Sequence, residues 1–176
     1  KKILEKLIPI QPNFEILTKS KLILRDIKLL KEFTNLSIGI SLNTLDDSVS
    51  KNLEPRASSA TSRINTLREL HDAGLNAYLF ISPIFPGITD FKALIEKTYS
   101  FADIYLFENL NIRANNRSAI NAFIKKFLPD KSEFYYILNP SCYYWENLKM
   151  QIRDYCNSRE IEYRIYFSHA EERKNQ

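Results

Sequence analysis

An α/β fold, with βα repeats around a parallel sheet, is the class this sequence predicts, on three observations. Short apolar, β-branched and aromatic runs recur at 14–17, 36–42, 76–81, 103–107, 133–138 and 162–167. Stretches with helical periodicity lie between most of them, the alternation that produces parallel strands joined by crossover helices. The strands also read as mostly apolar, YLFI and IYLF among them, as strands of a sheet covered on both faces do.

The elements follow in order. KKILEKLIPIQP reads as the end of an amphipathic helix, in a chain trimmed on its N-terminal side, and leads into the strand at 14–17. Ser20 caps a helix carrying Ile23, Ile27 and Leu30. The strand at 36–42 runs into the polar stretches LNTLDD and LEPRASS. Ser58 or Ser59 then opens a helix carrying Ile64, Leu67 and Leu70, which closes at Gly74. After the strand at 76–81, SPIFPG makes a stiff turn, and Thr89 or Asp90 caps the next helix. Ser118 to Leu128 and Trp145 to Asn157 are the later helices, the second with Trp145, Leu148, Ile152 and Cys156 on one face. At 176 residues and 44% apolar content, one domain is expected over residues 1–168, followed by a charged tail at 169–176.

Charge and cysteine usage narrow the function classes. The 25 basic residues are scattered among 21 acidic ones, so the net charge of +4 marks no nucleic-acid face. Two cysteines, Cys142 and Cys156, form neither a secreted disulfide framework nor a zinc-like spacing, which suits a reducing compartment. No apolar run approaches the roughly 20 residues that cross a bilayer. A cytoplasmic protein with no membrane partner is expected.

Chemistry-bearing residues concentrate just past the strands, where parallel α/β sheets hold ligands. Along 37–43 the side chains alternate, so Ser37, Gly39, Ser41 and Asn43 form a small polar face opposite Ile38, Ile40 and Leu42. That face either borders a ligand or bonds neighbouring strands. Glu54 and Arg56 flank Pro55: the arginine fork suits a carboxylate, and equally an internal ion pair that pins the loop. Lys19 either reaches the mouth of the sheet or is a solvated loop lysine. Pro83 and Gly87 let backbone approach a ligand closely, or simply make a rigid turn. Glu108, Asn109, Asn111 and Arg113 either line a substrate pocket or form an ordinary polar loop. Cys142 is either a hydrogen-atom donor or a small buried hydrophobe, and His71 and His169 stand isolated.

TKS at 18–20, GISLNTLDD, LEPRASS and SPIFPGITD together resemble the third to fifth βα units of radical S-adenosylmethionine (SAM) enzymes, in particular the spore photoproduct lyase-like group. YYWENLKMQIRDYCNSREIEYRIYF is similar to that group's closing helix and strand. The resemblance implies part of a TIM-like (β/α)6 barrel that binds SAM at its C-terminal mouth. It implies that Lys19, Ser41 and Arg56 hold the methionyl carboxylate or ribose, and that Asn43 and the backbone from Pro83 to Gly87 border ribose and adenine. It also implies a [4Fe-4S] cluster, an external electron donor and reductive cleavage of SAM to a 5'-deoxyadenosyl radical that acts on an unknown substrate.

One departure from that pattern is decisive for chemistry. The family's C-x-x-x-C-x-x-C loop is absent, and two cysteines 14 residues apart do not replace three clustered thiolates. The segment alone is therefore expected to hold SAM surface without redox chemistry, the cluster belonging to the parent protein. The alternative is a non-catalytic α/β binding or interaction domain derived from such a barrel. A TIM-barrel enzyme using general acid and base groups would need a carboxylate or His pair at the strand ends, and none is evident. Without the leading βα units, the strand at 14–17 is expected to have its outer edge paired or covered.

Overall fold

The structure is a computed structural model that describes residues 1–128, 134 and 143–167. Among these, strands β1 (Phe14–Thr18), β2 (Leu36–Leu42), β3 (Asn76–Ile84), β4 (Tyr105–Asn109) and β5 (Tyr163–Tyr166) form one sheet in the order β1-β2-β3-β4-β5. Every neighbouring pair is parallel. Because the order never reverses, each crossover advances one strand in the same direction, which winds the chain as a barrel is wound.

That winding explains the placement of the helices. A short helix α1 (Lys2–Leu7) precedes β1, and a 3-10 turn (Lys21–Asp26) runs into α2 (Ile27–Leu30). They are followed by α3 (Asp47–Leu53), α4 (Ala60–Asp72), α5 (Phe91–Thr98), α6 (Arg117–Phe127) and α7 (Tyr144–Asn157). The main core joins Leu30, Leu67, Leu70, Leu94, Ile95, Leu148 and Ile152 from the helices to Ile38, Ile40, Leu79, Ile81 and Phe107 from the strands. By alternation and register, those strand residues all lie on one face of the sheet. Coverage on both faces, expected from the apolar strands, is thus replaced by helices on one face. The register places Glu15, Gly39, Tyr78, Phe80, Leu106 and Glu108 together on the opposite, inner face.

Local signals set the element ends. The Ser20 hydroxyl accepts from Leu22 N, Ser59 from Ser62 N, and Asp90 from Ala93 N at 3.0 Å. Gly74 ends α4 in the left-handed region at φ 76°, which a β-carbon would disfavour. Fully burying each of Leu67 and Leu70 contributes about 1.5–3 kcal/mol of hydrophobic free energy, so α4 is a principal brace of β2 and β3.

Three features differ from the sequence reading or lie beyond it. LNTLDDSVSKNL is not all loop: Asp46 caps α3, accepting from Ser48 N at 2.7 Å and Val49 N at 2.9 Å. Helix α6 does not join the main core. Its Ile120, Phe123 and Ile124 pack with Val49, Leu53, Ile88 and Leu110 in a separate cluster at the C-terminal side of the strands. Finally, no strand among the described residues pairs with the outer edge of β1. The strand expected at 133–138, Cys142, His169 and the tail at 169–176 fall outside the described residues, Phe134 excepted.

Candidate functional site

The C-terminal strand ends and α6 enclose a cavity of about 690 Å³, whose lining includes Lys19, Ser82, Glu108, Asn109, Arg113 and Phe123. The cavity lies where a parallel sheet presents its loops, because β1, β3 and β4 all end at it. Its wall mixes an ammonium, a carboxylate, a guanidinium and several amides with aromatic surface. Such a set suits a ligand that carries charged groups on an apolar or aromatic body.

On the β2 and β3 side, the mouth is held by short hydrogen bonds. Ser41, 2% exposed, donates from Oγ to the Ser82 carbonyl at 3.0 Å. The Ser82 hydroxyl in turn donates to Glu108 Oε2 on β4. The β3–β4 register shifts between Ile81 and Ile84, the stretch that contains the cis Ser82–Pro83 peptide. Thr89 fastens the turn that follows: its Oγ1 accepts from Phe85 N at 2.9 Å and donates to the Asn43 carbonyl at 2.8 Å. Asp90, rather than Thr89, is the helix cap.

Asn43 is 1% exposed, and neither Oδ1 nor Nδ2 has a hydrogen-bond partner among the described residues. The same holds for Asn109 Oδ1, in a residue 3% exposed. Buried amides ordinarily find partners, so two orphaned ones at the C-terminal ends of β2 and β4, on either side of β3, favour a site that takes a polar ligand.

Lys19 and Glu54 form an ion pair through Nζ and Oε1. The other oxygen of Glu54 lies 2.7 Å from Arg63 Nη1. Sequence reasoning overlooked Arg63, and placed a guanidinium partner for this loop at Arg56. Arg56 is exposed, whereas Arg63 is 1% exposed within α4. Arg63 donates from Nε to the Ser58 carbonyl at 2.7 Å, from Nη1 to the Ser41 carbonyl at 3.1 Å, and from Nη2 to Ser50 Oγ at 3.1 Å. The available signal was its spacing: Arg63 occupies the same helical stripe as Ala60, Leu67 and Leu70.

Of the six residues singled out in the sequence, Lys19 and Pro83 line the cavity. Ser41 stands one hydrogen bond behind its wall, and Asn43 is buried against the same turn. Arg56 and Gly87 are exposed, the latter in the left-handed region at φ 72°. Glu108, Asn109, Asn111 and Arg113 all reach the cavity.

The described residues contain no group of three or more His, Cys, Asp or Glu that would hold a metal. Cys156 is fully buried on α7, and desolvation pushes its thiol up to about 11, which disfavours the thiolate a metal needs. The donor set here does not fit an iron-sulfur cluster. No helix among the described residues is long and apolar enough to cross a membrane.

No family model matches the sequence. Over 103 residues, 58% of this chain, it is 39% identical to an uncharacterized protein of Methanocaldococcus jannaschii, of which that stretch makes up 40%. Over 87 residues it is 36% identical to an uncharacterized protein of Acidianus two-tailed virus, covering 29% of that protein. The chain thus spans less than half the length of either relative. Among solved structures, SuiB of Streptococcus suis bound to S-adenosylmethionine superposes on 94% of this chain with a TM-score of 0.59 and 15% identity. SuiB bound to its precursor peptide SuiA gives a TM-score of 0.60 over 96% of this chain at 16% identity. In both comparisons the match covers 35% of SuiB. The chain has a radical SAM-like fold. Its five parallel strands alternating with helices form part of such a barrel.

Proposed function

We propose that this chain is the SAM-holding part of a radical SAM protein of the spore photoproduct lyase-like group. The observation that carries the reading is the cavity at the C-terminal strand ends, lined by a lysine after β1 and the orphaned Asn109 amide of β4, with the orphaned Asn43 amide buried after β2 against the turn that follows β3, in a radical SAM-like fold. Lys19 would meet the methionyl carboxylate, and the turn from Pro83 to Gly87 with Asn43 would border the nucleoside. In the longer protein, SAM would serve as the source of a radical acting on a substrate that the mouth does not identify, with electrons from an external donor. That chemistry needs a [4Fe-4S] cluster, which these residues do not fit, so this chain alone is assigned binding and not cleavage.

The missing cysteine motif also favours a second reading, a barrel-derived α/β domain that binds without catalysis. Two measurements separate them. Equilibrium binding of SAM to this chain tests the shared claim, and absence of saturable binding overturns it. Reconstituting the longer protein with iron and sulfide and assaying 5'-deoxyadenosine tests the enzymatic claim. Product formation supports the enzyme, and a longer protein without cluster cysteines supports the binding domain.

A further inference from the structure

We propose that Arg63 is a positioning residue: acting through Glu54, it holds the Lys19 ammonium at the cavity wall, where the carboxylate of an amino-acid-bearing ligand would meet it. The inference rests on the SAM-binding reading for its ligand, and on geometry for the linkage itself.

The geometry is a chain of fixed contacts. Arg63 places its guanidinium among four oxygens from different segments: the Ser41 carbonyl at the end of β2, Ser50 Oγ on α3, the Ser58 carbonyl before α4, and Glu54 Oε2 in the intervening loop. A guanidinium is a rigid planar fork, so these contacts fix its orientation. Glu54 Oε2 is held against that fixed guanidinium as an ion pair, without hydrogen-bond geometry, leaving Oε1 for Lys19. The backbone of Lys19 is tied to the same loop, since Ser58 N–H donates to the Lys19 carbonyl at 3.1 Å. Ser58 therefore joins Arg63 and Lys19 by its two backbone groups. The lysine is restrained at both ends by a loop that Arg63 anchors.

The charges give this arrangement a ligand preference. Two cations share one carboxylate, so the cluster carries one net positive charge on a wall that is partly shielded from water. A ligand carboxylate would complete the balance, and charge-assisted hydrogen bonds of this kind strengthen as water is excluded. An arginine that served only to staple α4 to β2 would be satisfied by Ser41, Ser50 and Ser58. The contact with Glu54 extends its reach to the cavity.

The test compares two probes, SAM and 5'-methylthioadenosine, which keeps the nucleoside and the S-methyl group, its sulfur a neutral thioether where SAM has a sulfonium, but lacks the aminocarboxylate chain. The effect of Arg63 is read as the change each probe shows between wild type and variant, so the fixed difference in sulfur charge cancels. In the intact chain, Arg63→Met is expected to weaken SAM binding on the order of tenfold while changing 5'-methylthioadenosine by about twofold or less. Arg63→Lys should fall between, because it keeps the charge and loses the fork. A second readout needs no ligand: competitive acetylation by acetic anhydride, read at Lys19 by mass spectrometry. Acetylation at Lys19 should rise several-fold, roughly threefold or more, in Arg63→Met relative to the exposed Lys21. If Arg63→Met fails to fold, Ser50→Ala removes a single contact from the fork and should shift both readouts in the same direction. Equal weakening of both probes would make Arg63 merely structural and overturn the inference. Should the wild type bind neither probe, the SAM reading fails, and unchanged acetylation at Lys19 would then overturn the Arg63 linkage as well.

Discussion

Tyr78 lies directly over Gly39 on the inner face of the sheet, so close that a β-carbon on Gly39 would sit 2.3 Å from Tyr78 Cζ. The two residues are register partners on β2 and β3. Glycine leaves room for the ring, and the phenol donates its hydrogen bond to Glu15 on β1. Three strands are thus locked by one side chain that crosses a position with none. Gly39→Ala is expected to cost ~3 kcal/mol by overpacking, read as a lowered thermal midpoint. Adding Tyr78→Ala should recover part of that loss, since the clash partner is gone. Purely additive destabilisation in the double variant would show that the ring is not what excludes the β-carbon.

Burial of weak acids sets the response of the fold to alkali. Desolvation pushes the Cys156 thiol up to about 11 and the Tyr105 phenol up to about 12. Tyr78 is likewise raised, first by burial and then by its bond to Glu15. Each group holds its proton more tightly folded than unfolded. Their stabilisation is therefore complete below the ordinary values of 9.0 and 10.0, and is lost as pH rises through the folded ones. Thermal midpoints should stay level up to about pH 9 and fall steadily from there toward pH 12. Cys156→Ala should flatten the first part of that fall. An unchanged midpoint between neutrality and pH 11 would contradict the assignment.

What was legible in the sequence was what local physics decides. The two faces of β2 follow from strict alternation, and the ends of α4 follow from a serine cap and Gly74 at positive φ. Lys19 and the run from Glu108 to Arg113 were readable as candidate mouth residues because they sit at or just past the C-terminal ends of strands. Helix α3 was missed because it lacks an apolar stripe: Val49 and Leu53 face only the small cluster with α6, and the deciding signal was the Asp46 cap. Arg63 was missed because arginine in a helix ordinarily reads as surface. Its burial depends on Ser41, Ser50 and Glu54 converging from separate segments, which no local pattern encodes. The apolar face of α6 was visible, but its partners at the strand ends were not.

Thr89 is expected to control the SPIFPG turn. Thr89→Val keeps the shape and deletes both the bond accepted from Phe85 N and the one donated to the Asn43 carbonyl. The loss should be ~2 kcal/mol, because two buried backbone groups lose their shared partner. Amide hydrogen exchange at Phe85 should accelerate while that of β2 stays protected. Wild-type exchange at Phe85 in the variant would show that the turn is held by other contacts.

Asn43 offers the sharpest separation of binding from stability. It is 1% exposed, and its two amide atoms have no hydrogen-bond partner among the described residues. A buried, unpaired amide costs about 1–3 kcal/mol, whereas an apolar side chain of similar length in the same place carries no such penalty. Asn43→Leu should therefore leave the thermal midpoint of the free protein unchanged or raise it. If the amide is kept for the nucleoside of a bound ligand, the same substitution should weaken both SAM and 5'-methylthioadenosine, on the order of tenfold. This pattern differs from that of Arg63→Met, which should discriminate between the two probes. A destabilised Asn43→Leu with unaltered binding would reverse both signs and make the residue part of the scaffold.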